Sequence, residues 1–191
     1  MDVRENGGGW TGSYESIRPL LYTGPIQVYG MEAWASENNI AFFRGWLEDE
    51  HLSDEMKAQV RAALPKMETK PNRFVVLTPD TLIRLATVHP MPRKVAVLMG
   101  SGCFSSCEDF ILEARQSSKV TLLGSEATLG GLAYGNVRLV WLPGWRRLLL
   151  PTSRWREIDA TSREEVGLSP QVWIPEGEAD AVDFARRHLR R

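Results

Sequence analysis

The sequence of 191 residues predicts an α/β layer fold. Segments typical of buried strands alternate along it with segments typical of amphipathic helices, which is the pattern of layered α/β domains. The apolar run at residues 95–99, for example, precedes a helical pattern at 108–115 and a second apolar run at 120–123. A hydrophobic content of 43% supplies a core of useful size. The sequence therefore predicts one soluble globular domain over residues 1–191.

The first half of the chain contains one long helical pattern. Ile40, Phe43 and Leu47 recur at helical spacing, which predicts helix around them. The expected elements are a strand end and glycine turn at 2–9, a helix from Thr11 or Ser13 to Leu21, a strand at 26–28, a helical and rather polar segment at 31–70, a strand at 74–77 and a helical turn at 80–86.

The second half is expected to contain more strand. Two apolar runs flank Pro143 and Gly144, which predicts a β-hairpin. The expected elements are a strand at 94–99, a helix from Glu108, a strand at 120–123, the hairpin strands at 137–142 and 146–150, a strand at 171–174 and a closing helix at 179–189.

Composition excludes several classes of function. The formal net charge of −1 argues against a surface for nucleic acid or anionic membranes, since both need a basic excess. The apolar runs are too short to span a membrane, so we expect no membrane insertion. Cys103 and Cys107 are too few for a metal site and are expected to be small buried fillers. We expect no metal and no cofactor.

Tryptophan is frequent in this chain. Of its seven tryptophans, Trp145 and Trp155 stand beside arginines and are candidates for an exposed contact surface. The alternative is that most tryptophans are packing residues, which the composition favours.

A turn of small residues between the strand at 95–99 and the following helix carries Ser105 and Ser106. A hydroxyl at such a bend lies beside the unpaired N–H groups of a helix N-terminus, where it can act as a nucleophile. The same pattern is found more often at a simple N-cap. Taken alone, the turn favours the cap.

Four motifs in a fixed order change this interpretation. The first is Asp-x-Arg-x-Asn-x-Gly-Gly, the second Ser-x-x-Glu, the third a Gly-Ser-Glu-Ala-Thr-Leu-Gly turn and the fourth Gly-Leu-Ser-Pro. Their residues are Asp2, Arg4, Asn6, Gly8 and Gly9, then Ser105 and Glu108, then 124–130 with Thr128, and finally 167–170. Together they resemble the C-terminal-processing and tricorn-type serine peptidases, except that Gln171 stands where that family has Asp.

The resemblance implies a fold and a set of site residues. The fold would be α/β with the spiral ββα core of the Clp protease and crotonase type. Ser105 would be the nucleophile, and the N–H groups of Ser106 and Gly8 would form the oxyanion hole. Arg4 and Asn6 would shape the glycine turn, with Gly9, Glu108 and Thr128 as supporting residues.

The catalytic base is the point where the chain departs from the family. Gly131 stands where the processing peptidases carry lysine, and Lys119 does not match that position. The chain is therefore closer to the tricorn-type branch, which uses His with an assisting Glu, for which Glu164 is the candidate. Glu165 and Asp159 are its rivals, and the solvated run around Glu164 is a competing interpretation.

No histidine of this chain fits the role of base. His89 lies about 15–20 Å from Ser105 along the predicted strand, and His51 and His188 fall in polar segments. The family's His precedes the first glycine motif, so we expect the domain to be N-terminally incomplete and the base to come from outside this chain. This chain alone is expected to show little or no turnover.

Two functions follow, from different classes. The first is a serine-type peptidase domain acting on peptides or unfolded polypeptides, and the second is a catalytically degenerate peptide-binding or assembly module of the same fold. A crotonase-like enzyme acting on acyl-coenzyme A is a weaker third, because it would leave the Ser-x-x-Glu turn without a role. The resemblance also suggests a homo-oligomer and a bacterial envelope, periplasmic or secreted location.

Overall fold

The computed structural model describes residues 1–9, 11–156 and 165–190. These form the 3-10 helix Thr11–Tyr14 and helices α1 Arg18–Leu21, α2 Glu37–Trp46, α3 Asp54–Thr69, α4 Ser106–Ala114 and α5 Ala181–Leu189. The strands are β1 Ile26–Val28, β2 Met31–Trp34, β3 Phe74–Thr78, β4 Thr81–Ile83, β5 Val95–Leu98, β6 Val120–Gly124, β7 Tyr134–Gly135, β8 Arg138–Leu142, β9 Arg146–Leu150, β10 Ser153–Trp155 and β11 Val172–Trp173.

The chain divides into two compact units. In its described part the first comprises residues 1–28, 82–133 and 165–190, and the second comprises 29–81 and 134–156. The mixture of helices and strands confirms the α/β class. The spiral ββα core is a finer statement and stays a prediction, as does the single-domain description.

The first unit is built around the parallel sheet β11-β6-β5. Strand β5 is buried at every position, as expected for a strand covered on both faces. Asp2 continues the sheet by a parallel bridge to Leu98, and the Val3 N–H donates to the Leu98 carbonyl at 2.9 Å. The first glycine motif therefore begins directly beside the strand that leads to Ser105. Helix α5 packs on this sheet through Ala185.

The second unit contains the antiparallel sheet β3-β2-β10-β7 and helices α2 and α3. Its core includes Phe43, Val60 and Met67, all almost fully buried. Ser36 and Ser53 cap the two helices with their hydroxyls, which explains where each helix begins. Strands β8 and β9 form a separate two-stranded hairpin, as the Pro-Gly signal predicted.

Three sequence-based expectations were wrong in detail. Residues 31–34 form a strand rather than helix, because they pair with β3 and β10. Residues 81–83 form β4, paired with β1, where a helical turn was expected. The helix expected up to Leu21 is split into a 3-10 turn and α1. In the described residues, no helix is both long and apolar enough to cross a membrane.

Candidate active site

Ser105 lies at a sharp bend between β5 and α4. Its backbone has φ 56° and ψ −121°, a region that a residue with a Cβ seldom adopts. Its side chain is half-buried. A strained serine between a strand and a helix is the arrangement that exposes a nucleophilic hydroxyl in hydrolases. The sequence placed Ser105 at this bend, and the structure adds the strain.

The capping role predicted as the alternative is only partly present. Ser105 and Glu108 stand in the relation of a capping box, and the Ser105 N–H donates to Glu108 Oε2 at 3.2 Å. The Glu108 N–H, however, donates to the Ser105 carbonyl at 2.7 Å, so it does not depend on the Ser105 hydroxyl for a partner.

The first glycine turn packs directly against this bend. A Cβ placed on Gly8 would lie 2.6 Å from the Phe104 carbonyl oxygen, 2.9 Å from Ser105 Cβ and 3.2 Å from the Ser106 nitrogen. The Phe104 N–H donates to the Asn6 carbonyl at 3.1 Å. Gly8 also has φ +90°, which favours glycine. The first two motifs thus converge on one place, as the resemblance requires.

The two expected oxyanion donors differ in availability. The Ser106 N–H opens helix α4 and has no hydrogen-bond partner among the described residues. The Gly8 N–H instead donates to Asn6 Oδ1 at 3.0 Å. A substrate oxygen would have to take the place of the Asn6 amide to reach Gly8. The Asn6 side chain thus closes a hydrogen bond within the glycine turn and occupies one of the two expected donors. The neighbouring Gly9 is exposed, with φ +139°.

Arg4 is held by its own motif. Its guanidinium forms an ion pair with Asp2 at 2.7 Å, and the hydrogen bond from Arg4 lowers the pKa of Asp2. A Cβ on Gly102 would lie 2.4 Å from the Arg4 carbonyl oxygen. The backbone of the first motif therefore packs against the loop that precedes Ser105.

Glu108 joins the serine bend to the third motif. Its side chain is 1% exposed and accepts hydrogen bonds from the Thr128 hydroxyl at 2.5 Å and from the N–H groups of Gly130 at 3.0 Å and Gly131 at 2.9 Å. With the Ser105 N–H it has four donors, which offset the cost of burying a carboxylate. Glu108 is thus the hub that fixes Ser105 relative to the glycine loop.

Thr128 connects this hydrogen-bond network to the fourth motif. The Leu168 N–H donates to Thr128 Oγ1 at 2.7 Å, and the Thr128 N–H donates to the Leu168 carbonyl at 3.1 Å. A Cβ on Gly167 would lie only 1.9 Å from the Thr128 carbonyl oxygen, so only glycine fits there. All four motifs therefore meet in the first unit.

Gln171, which stands where the family has Asp, is hydrogen-bonded to β6 through both its side chain and its backbone. Its side-chain oxygen accepts from the Leu122 N–H at 2.9 Å, and its own N–H donates to the Leu122 carbonyl at 2.9 Å. The amide thus holds the chain beside β6 at the point where β11 begins.

The family's lysine position is filled by an aromatic ring. A Cβ on Gly131 would lie 1.6 Å from Phe104 Cε2. Phe104 therefore covers the point from which a lysine side chain would leave the backbone. This contact is the physical counterpart of the missing Ser–Lys dyad.

The structure gives no contact between Ser105 and the remaining candidate bases among the described residues. Lys119 Nζ donates to the His89 carbonyl at 2.6 Å, and Lys119 precedes β6, so both lie at the opposite end of the strands from Ser105. His188 lies on α5 and His51 in the second unit. Among the described residues, Ser105 has no hydrogen bond to a His or a Lys. Glu164, the expected assisting carboxylate, lies outside the described residues.

Two features of the site were missed from the sequence. Cys103 and Cys107 are buried as expected, but they form a disulfide across the serine bend, with their Cα atoms 5.4 Å apart. The spacing was the available signal, since the bend brings residues four apart into disulfide range. The Cys103 carbonyl also accepts from the Leu129 N–H at 3.0 Å. The disulfide thus joins the residues two positions before and two positions after Ser105.

The second missed feature is a buried carboxylate pair on α4. Glu113 accepts from the Tyr14 hydroxyl at 2.9 Å and from Arg18 Nε at 2.7 Å. Asp109 is buried beside it, and its Oδ1 has no partner in the described residues. Burial, with Glu113 and Glu108 nearby, raises the pKa of Asp109 to about 8. Asp109 is therefore neutral over much of the acidic and neutral pH range.

Comparisons with known proteins cover most of this chain. The profile described as peptidase family S41 matches residues 1–174. A search of the curated proteins found no match. Mature CPAF in complex with lactacystin is similar with a TM-score of 0.60 and 20% identity, over 91% of this chain and 38% of that one.

Two further solved structures are similar. A peptidase described as putative, from Parabacteroides merdae ATCC 43184, has a TM-score of 0.56 and 17% identity, over 95% of this chain and 46% of that one. The photosystem II D1 C-terminal processing protease has a TM-score of 0.50 and 14% identity, over 91% of this chain and 33% of that one. The chain thus spans less than half the length of these structures, and at these identities the likeness concerns the fold.

Proposed function

The chain belongs to peptidase family S41, and on that premise we propose that it is a serine-type peptidase domain that cleaves peptides or unfolded polypeptides, with Ser105 as nucleophile. The observation that carries the proposal is the contact of Gly8 with Ser105 and Ser106. We infer from it that the Ser105 hydroxyl and the N–H groups of Ser106 and Gly8 act on one substrate carbonyl. The finer architecture that we propose with it is the spiral ββα core.

In this mechanism Ser105 Oγ attacks the scissile carbonyl and loses its proton to a base supplied from outside this chain. The oxyanion that forms accepts hydrogen bonds from the Ser106 N–H and, once Asn6 is displaced, from the Gly8 N–H. Each such donor contributes about 3–4 kcal/mol of transition-state stabilisation. Glu108 and Thr128 hold the bend in place, and Glu164 is the proposed assisting carboxylate. We propose that a partner subunit or another chain segment contributes the base, in a homo-oligomer or a longer chain.

A second function is favoured by the contact between Phe104 and Gly131. This ring replaces the lysine base, and no other base reaches Ser105 in the described residues. The same cleft can then bind peptides without cutting them, as a degenerate module. The two functions predict different behaviour of the Ser105 hydroxyl.

Labelling with a fluorophosphonate probe separates the two. The peptidase proposal expects labelling of the wild-type chain, or of an N-terminally extended chain, and its loss in Ser105→Ala. Labelling is read by intact-protein mass spectrometry, and Ser106→Ala serves as the matched control because it keeps the backbone N–H. If neither the chain nor its extended form is labelled while an unfolded peptide still binds in fluorescence anisotropy, the degenerate module is the correct description.

A further inference from the structure

The β8–β9 hairpin presents apolar side chains to solvent on both faces. All five positions of β9 are exposed, and Trp145 in the connecting loop is 91% exposed. The exposed apolar side chains are Leu139, Trp141, Leu142, Trp145, Leu148, Leu149 and Leu150. An exposed apolar patch of this kind marks an interaction surface.

Arginines lie next to the tryptophans at the tip of the hairpin. The strand register places Trp141 opposite Arg147 and Leu142 opposite Arg146. Further from the tip, Leu139 faces Leu149, so the apolar character continues along both strands. Five residues per strand give a hairpin about 17 Å long. Its outer part thus combines large aromatic side chains with two guanidinium groups.

The charged side chains of the hairpin and its flanking segments are all of one sign along the sequence. Residues 127–156 contain five arginines and neither Asp nor Glu. Arg154 pairs with Glu32 and Arg156 with Asp80, within the second unit. Arg146 and Arg147 are exposed and have no ion pair in the part of the chain that the structure describes. The tip therefore carries two uncompensated positive charges, although the whole chain is nearly neutral.

We propose that the β8–β9 hairpin binds the surface of an anionic lipid bilayer. Tryptophan rings prefer the boundary between headgroups and acyl chains, and arginines bind lipid phosphates while their stems stay in apolar surroundings. The hairpin is long enough to reach the 5–10 Å depth of that boundary. The whole-chain charge of −1 argued against an anionic-membrane surface, but it is a sum over the entire chain, whereas the charges at the tip act over about one Debye length, roughly 10 Å. The proposal therefore revises that expectation for this one surface.

A second copy of the chain fits this surface less well. Two hairpins associated tip to tip would bring Arg146 and Arg147 of each copy together, and like charges in contact oppose association. Two hairpins paired antiparallel would set these arginines against leucines and leave them without an anionic partner. An anionic bilayer satisfies both the arginines and the apolar side chains. It also leaves the hydrogen bonds between β8 and β9 intact.

The test is sedimentation of the full chain with sucrose-loaded vesicles of phosphatidylcholine alone or with 30% phosphatidylglycerol. We expect binding to the anionic vesicles, with a blue shift of tryptophan emission, and weak binding to phosphatidylcholine alone. The double substitution Arg146→Gln/Arg147→Gln should lower the partition coefficient about 30-fold. Trp145→Ser should lower it about tenfold.

The matched control is Arg186→Gln/Arg187→Gln, which removes two charges from α5 and should leave binding within about twofold. Circular dichroism checks that each variant is folded. Absence of wild-type binding to anionic vesicles overturns the proposal, and so does equal binding by the hairpin variants. A wild-type dimer in sedimentation velocity that Trp145→Ser converts to monomer, without vesicle binding, assigns the surface to a second copy and also overturns it. None of these outcomes depends on labelling of Ser105.

Discussion

The serine bend and the tip of the β8–β9 hairpin each contain a non-glycine residue with positive φ, and the two residues are held in different ways. Ser105 has φ 56° and Trp145 has φ 62°, both unusual for residues with a side chain. Ser105 is fixed by Gly8, by Glu108 and by the Cys103–Cys107 disulfide. Trp145 is 91% exposed and is held by the hairpin loop.

The difference shows which interactions stabilise each backbone conformation. At the serine bend, tertiary contacts from three other motifs impose a strained backbone, as found at functional sites. At the hairpin tip, a three-residue loop adopts positive φ because the paired strands require it. Removing a partner should therefore disturb the bend strongly and the hairpin weakly.

The largest effect is expected for Glu108→Ala. It leaves the Thr128 hydroxyl and the N–H groups of Ser105, Gly130 and Gly131 without their acceptor. At about 1–3 kcal/mol for each buried unsatisfied group, partly recovered by water, we expect a loss of about 4–5 kcal/mol. Urea unfolding followed by circular dichroism measures it. Arg146→Ala in the hairpin is the control, expected within about 0.5 kcal/mol. A similar loss in both variants would remove the distinction between the two regions.

A smaller effect, of opposite sign, is expected for Asp109→Asn behind the serine bend. Burial raises the pKa of Asp109 from 3.8 to about 8, so folding is favoured by the protonated carboxyl. This stabilisation is complete below pH 4 and is lost as the pH rises through 8. Asparagine stays neutral, so the variant should match the wild type at pH 4 and exceed it by a few kcal/mol at pH 9. Thermal unfolding at both pH values tests this, and an equal difference at pH 4 and pH 9 would contradict it.

The serine bend and the hairpin can also be compared by adding one methyl group to each, with Gly8→Ala in the glycine turn and Gly144→Ala in the hairpin loop. Both glycines have positive φ, +90° and +78°. A Cβ on Gly8 meets the Phe104 carbonyl, whereas a Cβ on Gly144 has nothing within 4 Å. We expect a loss of about 2–3 kcal/mol at position 8 and about 1 kcal/mol at position 144. Chemical unfolding gives both values, and equal losses would mean that the glycine turn can move away from Ser105.

An effect slightly smaller than that of Gly8→Ala is expected on removing the disulfide. Cys103→Ala/Cys107→Ala opens a short loop, for which chain entropy predicts a loss of about 2 kcal/mol. The bend should relax locally. Fluorophosphonate labelling of Ser105 should therefore fall by a larger factor than the loss in free energy of unfolding alone would produce. The wild-type chain treated with a phosphine reductant should behave in the same way. Unchanged labelling in the reduced protein would show that Glu108 and Gly8 suffice to hold the bend.

The motifs predicted much of the candidate site. Their order placed Ser105, Gly8, Glu108 and Thr128, and the structure brings all four together. The motifs could not predict which partner each backbone N–H group would face. The Gly8 N–H points to Asn6, and this depends on a side-chain rotamer.

The errors in the fold share one cause. Residues 31–34 and 81–83 became strands through pairing with segments far away in the chain, which local periodicity does not report. Helix α4 and strands β5 and β6 were predicted closely because their local apolar pattern favours the same type of element that the tertiary fold requires there. The disulfide depended on the backbone bend between its two cysteines, a feature that spacing alone leaves open.

The ring of Phe104 against Gly131 has a consequence for any lysine introduced at 131. The new side chain would start inside the space of that ring, so the ring would have to turn aside. The atoms that it meets belong to the far end of a partly exposed side chain, so room for a lysine depends on the rotamer of Phe104 and not on the backbone.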